Sequence, residues 1–126
     1  MDAVFNEILL RVKEKTLAGK ANWQMSKSAN EYRLILIAGT ITISTYSNNY
    51  ITYYSCQLLN NNGDVLFSEI QKESDRVTPS FSLMGFYNDV VDAYTNKKQV
   101  VSSIMQQLKD DEEIGMPSST QSDLSF

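Results

Sequence analysis

The chain contains no histidine among its 126 residues. Histidine is the usual general base near neutral pH, the common partner of a serine or cysteine nucleophile and the most frequent metal ligand. Its absence removes most hydrolase chemistry. No glycine-rich phosphate loop, dinucleotide fingerprint or metal-ligand spacing occurs either. We therefore predict a protein that is not an enzyme, with no catalytic residues, no cofactor and no metal site.

Cysteine is equally scarce, because Cys56 is the only one. It cannot form an internal disulfide, and its place in an apolar strand favours a buried thiol over a reactive thiolate. No apolar run approaches the roughly 18 residues that cross a membrane. Charged side chains also interrupt Met1 to Lys15, which excludes a signal peptide. These features predict a soluble, cytoplasmic protein that binds no membrane.

The body of the chain has no excess of positive charge. Residues 1–109 hold all 11 lysines and arginines against ten acids, whereas residues 110–126 hold five acids and no base. Affinity for a phosphate backbone grows with the number of cations brought to it. We therefore predict no direct binding of nucleic acid.

The hydrophobic patterns that are present predict an α+β fold. An N-terminal helix is expected from about Ala3 to Ala18, with Asp2 as its N-cap and Gly19 ending it in a left-handed turn. Trp23 follows in a short extended segment and is expected to close one end of the core. Short polar turns then predict a four-stranded antiparallel meander with strands at Glu31–Ala38, Thr40–Tyr46, Tyr50–Leu59 and Asp64–Ile70.

A C-terminal helical region is predicted from Leu83, capped by Ser80 or Ser82. Its apolar stripe is interrupted by the polar residues 95–98, so we expect a kink or break near Asn96. The pattern predicts one domain over residues 1–109. Residues 110–126 are acidic and rich in serine, a composition that predicts a flexible tail.

The second predicted strand offers one candidate binding surface. Its residues alternate, so that Ile41 and Ile43 point to the core while Thr42, Ser44 and Tyr46 share the opposite, solvated face. An exposed tyrosine among hydroxyl side chains can anchor a partner protein, although sheet packing is the better explanation of tyrosine on a strand.

The tail ends in the hexapeptide Gln121-Ser122-Asp123-Leu124-Ser125-Phe126. It resembles the Q-x-x-L-x-F peptide by which bacterial replication and repair proteins dock on the sliding clamp of DNA polymerase. The resemblance implies that Gln121 bonds at the rim of the clamp pocket, while Leu124 and Phe126 fill its apolar floor. Ser122 departs from the apolar residue often found at the second position.

The body resembles small uncharacterised proteins of bacteria and their mobile elements, in Leu10, Lys15-Thr16, Gly19-Lys20 and Trp23 ahead of the meander. This resemblance implies a helix, meander, helix fold and no particular activity. Two hypotheses follow. The chain is a non-catalytic protein-interaction module of bacterial or phage origin whose tail docks on the sliding clamp, or it is an antitoxin, immunity or anti-defence protein that inhibits an enzyme through its sheet face.

Overall fold

The computed structural model describes residues 1–28, 30–74, 81–109 and 115. The chain divides into two compact units, Met1–Thr95 and Asn96–Phe126. The described residues form two helices, α1 (Ala3–Leu17) and α2 (Leu83–Lys109), and five strands, β1 (Gln24–Met25), β2 (Glu31–Ile35), β3 (Gly39–Asn48), β4 (Ile51–Asn60) and β5 (Val65–Lys72). The α+β class and the element order of the prediction are confirmed.

Helix α1 begins and ends at the residues that its caps dictate. The Asp2 carboxylate accepts hydrogen bonds from the backbone N–H groups of Val4 and Phe5, at 2.8 and 3.1 Å. These bonds satisfy two donors that the first turn leaves unpaired. At the other end Gly19 has a φ of 72°, the left-handed conformation that glycine adopts without strain.

The sheet has five antiparallel strands in sequence order, so the prediction of four strands is wrong. The additional strand is β1, which pairs Gln24 with Arg33 and Met25 with Tyr32 on β2. A strand of two residues shows no alternation in the sequence. It forms because β2 offers a free edge to the segment that follows Trp23.

The strand that begins the β2–β3 hairpin is shorter than predicted. Strand β2 ends at Ile35, and Gly39 already belongs to β3, so the predicted strand to Ala38, with its turn at Gly39, is wrong. The Leu36 N–H donates to the Gly39 carbonyl at 2.8 Å, which closes the turn. Ile37 is fully exposed at its tip. A continuous apolar run therefore leaves the sheet instead of extending the strand.

The hairpin of β3 and β4 turns at Asn49 and Tyr50, with φ values of 51° and 64°. Two consecutive left-handed residues are typical of the tight turn that matches strand twist. Strand β3 therefore extends to Asn48, and Tyr50 precedes β4 instead of starting it. The prediction placed this turn at residues 47–49.

The core lies between one face of the sheet and both helices, within the first unit. Phe5 stacks on Phe67 with ring centroids 5.3 Å apart, and Trp23 meets Phe86 edge to face at 5.7 Å. The core residues come from the two helices, from β2 to β4 and from the residues that precede β1 and α2. They are Phe5, Leu9, Trp23, Tyr32, Leu34, Ile41, Ile43, Tyr54, Cys56, Phe81, Leu83, Phe86 and Val90.

Polar contacts fix the start of α2 against this core. The Gln71 side chain donates to the Phe81 carbonyl and accepts from the Leu83 N–H, both at 2.9 Å. Lys13 of α1 forms an ion pair with Asp89 of α2 at 2.8 Å. The Gln71 contacts join β5 to the start of α2, and the ion pair joins the two helices.

Helix α2 is continuous from Leu83 to Lys109, so the predicted break near Asn96 is wrong. The Ser82 hydroxyl accepts a hydrogen bond from the Gly85 N–H at 3.2 Å, in agreement with one of the two predicted caps, whereas Ser80 lies outside the described residues. Its buried residues are Leu83, Phe86 and Val90, and residues 95–109 are exposed. The polar interruption marks where burial stops. The helix continues through it because its backbone hydrogen bonds are local and its two lysines are good helix formers.

Among the described residues, neither helix combines the length and the hydropathy needed to cross a membrane. Of the predicted tail, only Gly115 belongs to the described residues.

Candidate functional site

The candidate site is the face of the sheet opposite the core, which we call the open face. Strand pairing sets Arg33 beside Thr42 and Thr42 beside Gln57, and it sets Ser44 beside Ser55. Because side chains alternate along each strand, these residues all point away from the buried side. Polar side chains therefore cover the centre of the open face.

The structure places the three sequence-predicted residues of β3 on this open face. Thr42 and Ser44 are half-buried among their neighbours, and Tyr46 is 43% exposed. Tyr46 stacks on Tyr53 of β4, with ring centroids 5.3 Å apart and an angle of 14° between the ring planes. The ring pair forms a flat aromatic platform at one end of the open face.

A depression of about 400 Å³ occupies the other part of this face. Its lining is mostly hydroxyl, amide and charged side chains, and sequence reasoning identified only Thr42 among them. The lining residues are Ser26, Glu31, Arg33, Thr40, Thr42, Gln57, Leu59, Asn60, Asn61 and Gly63.

The charged groups of the depression are available to a ligand or partner. Within the described residues, neither Glu31 nor Arg33 forms an ion pair, and the side chains of Thr42 and Gln57 make no hydrogen bond. One guanidinium, one carboxylate, one hydroxyl and one amide thus lie together without a partner, the guanidinium exposed and the other three groups half-buried. The sequence could have predicted the position of these two charges. Glu31 and Arg33 flank Tyr32 on one strand, so both lie on the face opposite this core tyrosine.

Hydrogen bonds hold the rim of the depression. The Asn60 side chain accepts from the backbone N–H groups of Asn62 and Asp64, both at 2.9 Å. Asn61 donates to the Ile37 carbonyl at 3.0 Å, which ties the turn between β4 and β5 to the turn between β2 and β3. The rim is therefore preorganised by contacts between two turns.

The one thiol lies on the buried side of the sheet. Burial, together with the nearby Glu69 carboxylate, raises the pKa of Cys56 from 9.0 to about 12. A thiol with so high a pKa supplies almost no nucleophile at neutral pH. Within the described part of the chain, no group of three acidic or cysteine side chains is arranged to hold a metal ion.

The predicted clamp-binding residues Gln121, Leu124 and Phe126 lie outside the described residues. A scan against protein-family models finds no match to this chain. Searches of curated proteins and of solved structures find no match either. The open face is accordingly interpreted from its own chemistry.

Proposed function

We propose that this chain is a non-catalytic protein-interaction module that binds a partner protein through the open face of its sheet. The observation that carries the proposal is the set of unpartnered polar side chains in the depression, next to the aromatic pair Tyr46 and Tyr53. A protein surface with complementary charges and hydrogen-bonding groups fits this arrangement. Tyrosine is enriched in such interfaces because its ring packs while its hydroxyl stays hydrogen-bonded.

A partner protein suits the depression better than a small molecule does. Sites for small ligands are usually enclosed and lined mainly by apolar side chains with a few polar ones. Here the lining is mainly polar and lies on a sheet face, with Arg33 and Glu31 providing both signs of charge. Interfaces use paired charges of this kind to set the orientation of the partner.

The test is a comparison of proteins retained from the source cell by the wild-type chain and by two matched variants. Thr42→Arg places a long cation in the middle of the open face, and Lys20→Glu changes an exposed charge after α1. We expect a specific partner to be lost with Thr42→Arg and kept with Lys20→Glu, and the purified pair to bind directly in calorimetry. Equal retention of every partner by both variants would exclude the open face as the binding surface.

An inhibitory role is a second form of the same proposal. A small module that covers an enzyme surface acts as an antitoxin, immunity or anti-defence protein, and the open face would supply the contact. Assaying the purified partner enzyme in the presence of increasing amounts of this chain distinguishes an inhibitor from a scaffold or adaptor. Loss of activity at one equivalent supports inhibition, whereas unchanged activity supports a scaffold or adaptor.

The terminal hexapeptide supports docking on a bacterial sliding clamp as a separate candidate. The sequence observation that favours it is the pair Leu124 and Phe126, two apolar side chains that follow the polar residues 118–123. A peptide of residues 110–126 titrated into purified clamp tests it, with a Leu124→Ala and Phe126→Ala double variant as control. Absence of binding at about 100 μM, a free energy weaker than about −5.5 kcal/mol, removes this candidate.

A further inference from the structure

The turn between β2 and β3 exposes four consecutive apolar residues, 35–38, which we call the apolar tip. The exposed fractions of Ile35, Leu36 and Ile37 are 57%, 43% and 100%. Apolar side chains that remain in water contribute no hydrophobic stabilisation to the fold. A run of this kind is typical of a surface that another molecule covers.

Hydrogen bonds fix the shape of the apolar tip. The Leu36 N–H donates to the Gly39 carbonyl at 2.8 Å, which closes the turn. The Ile37 carbonyl accepts from the Asn61 side chain at 3.0 Å, which anchors the tip to the turn between β4 and β5. A surface that is ordered before binding loses little conformational entropy when a partner covers it.

The apolar tip is continuous with the open face. Ile35 is paired with Thr40, and Thr40 with Leu59, and both Thr40 and Leu59 line the depression. Arg33 lies two residues before Ile35 on β2, so the two side chains point to the same face. An aliphatic surface thus borders a polar one, as in interfaces with an apolar centre and a polar rim.

We propose that the apolar tip inserts into an apolar pocket of the partner protein, and that a carboxylate at the rim of this pocket pairs with Arg33. This inference rests on the proposed function, because it adds the apolar part of the same interface. Arg33 forms no ion pair among the described residues, and Glu31, the other unpaired charge, lies two residues further from the tip. A guanidinium beside an apolar contact therefore selects a partner with a negative charge at that position.

A protein fits this surface better than a lipid bilayer does. Segments that bind anionic lipid headgroups carry clusters of lysine and arginine. Residues 34–71 contain neither, whereas they include the acids Asp64 and Glu69. The apolar tip therefore lacks the cationic flank that would hold it on an anionic membrane.

Photo-cross-linking of the full chain in the source cell identifies what covers the tip. A benzophenone amino acid replaces Ile37, and the matched control carries it in place of Val4, an exposed aliphatic residue of α1. We expect position 37 alone to cross-link to another protein, at a peptide that lines an apolar pocket with a carboxylate at its rim. A cross-link only to a second copy of this chain, or no cross-link, overturns the proposal.

Calorimetry with the cross-linked protein, once purified, measures what the tip and Arg33 contribute. We expect Ile37→Asp to weaken binding at least about tenfold, because a charge replaces an aliphatic side chain that binding buries, and Val4→Asp to bind like the wild type. Ile37 is fully exposed in the free chain, so its variant should keep the melting temperature. Arg33→Glu should also weaken binding, and replacing the partner's carboxylate with lysine should restore it.

The variant Thr42→Arg distinguishes this inference from the proposed function. A partner that is lost with Thr42→Arg but binds Ile37→Asp normally overturns the role of the apolar tip and leaves the open face as the binding surface. A partner that is lost with Ile37→Asp but kept by Thr42→Arg overturns the open face instead. Binding of the wild-type chain, but not of Ile37→Asp, to vesicles of phosphatidylcholine and phosphatidylglycerol would identify a bilayer and overturn the protein partner.

Discussion

At the scale of single residues, one polar contact inside the core stands out. Thr16 is the only buried polar residue among those that the structure describes. Its hydroxyl donates to the Val12 carbonyl at 2.8 Å and accepts from the Trp23 indole at 3.0 Å. Trp23 can be fully buried because this hydroxyl satisfies its N–H group.

Replacing Thr16 with valine should destabilise the protein. The change keeps the shape of the side chain but leaves the indole N–H buried without an acceptor, which costs about 1–3 kcal/mol. Urea unfolding followed by tryptophan fluorescence measures the loss. Thr16→Ser retains the hydroxyl and is the control. Equal stability of Thr16→Val and the wild type would mean that the indole finds another acceptor.

The buried thiol of Cys56 should make the free energy of unfolding fall at high pH. Its pKa is about 12 when folded and 9.0 ordinarily, so the unfolded chain loses the proton first. This thiol therefore contributes stability below pH 9 that is lost as the pH rises from 9 to 12, at up to about 1.4 kcal/mol per pH unit. The free energy of unfolding at pH 8 and pH 10.5 measures it.

The control for this pH dependence is Cys56→Ala, which retains the tyrosines. Burial also raises the pKa of Tyr32 and of Tyr87, which adds a pH dependence of the same sign. Both tyrosines are present in the variant, so its difference from the wild type isolates the thiol. Parallel stability curves for the two proteins would contradict a buried, protonated Cys56.

At the scale of elements, the β2–β3 hairpin depends on a close backbone approach. A Cβ on Gly39 would overlap the carbonyl oxygen of Leu59 on β4. Since Gly39 is paired with Asn60 inside the sheet, neither backbone can move away without breaking the ladder. A glycine is therefore needed where β3 begins.

Gly39→Ala should destabilise the protein, and Gly85→Ala should not. Overpacking at Gly39 costs about 1–3 kcal/mol. At Gly85, inside α2, an added Cβ would meet the Ser82 side chain at an ordinary 3.6 Å. Alanine there gains about 0.5–1 kcal/mol from helix propensity. Thermal unfolding of both variants checks the opposite signs, and a stable Gly39→Ala protein would show that the strands can separate.

At the scale of the whole molecule, burial is distributed unevenly along the chain. Every buried residue that the structure describes lies in the first unit, Met1–Thr95. Residues 96–109 of α2 carry five exposed aliphatic or methionine side chains, at Val100, Val101, Ile104, Met105 and Leu108. Hydrophobic stabilisation is proportional to the apolar area removed from water, so these residues add little to it.

A chain that ends at Lys98 should therefore keep the fold of the first unit. It retains every core residue and one helical turn after Tyr94, which packs on Tyr32 at 5.3 Å. We expect its melting temperature to fall by no more than a few degrees, roughly what 1 kcal/mol produces in a domain of this size. Calorimetry of the full chain and of residues 1–98 measures the two melting temperatures. An unfolded short chain would show that residues 99–126 stabilise the core.

The sequence alone determined the features that depend on local interactions. The Asp2 cap, the left-handed Gly19 and the alternation of Ile41 and Ile43 are each set by a residue and its near neighbours. They fixed the bounds of α1 and the side of β3 that faces solvent, and hence the place of Thr42, Ser44 and Tyr46.

Tertiary structure decided what depends on distant partners. Strand β1 forms because it pairs with the edge of β2. Strand β2 ends early because a hydrogen bond between Leu36 and Gly39 closes the turn. The register of the strands places Glu31, Arg33 and Gln57 around one depression. Helix α2 continues through Asn96 because its backbone hydrogen bonds are local, although its core contacts stop. Pairing and packing join residues far apart in the chain, so hydrophobic periodicity alone could not predict them.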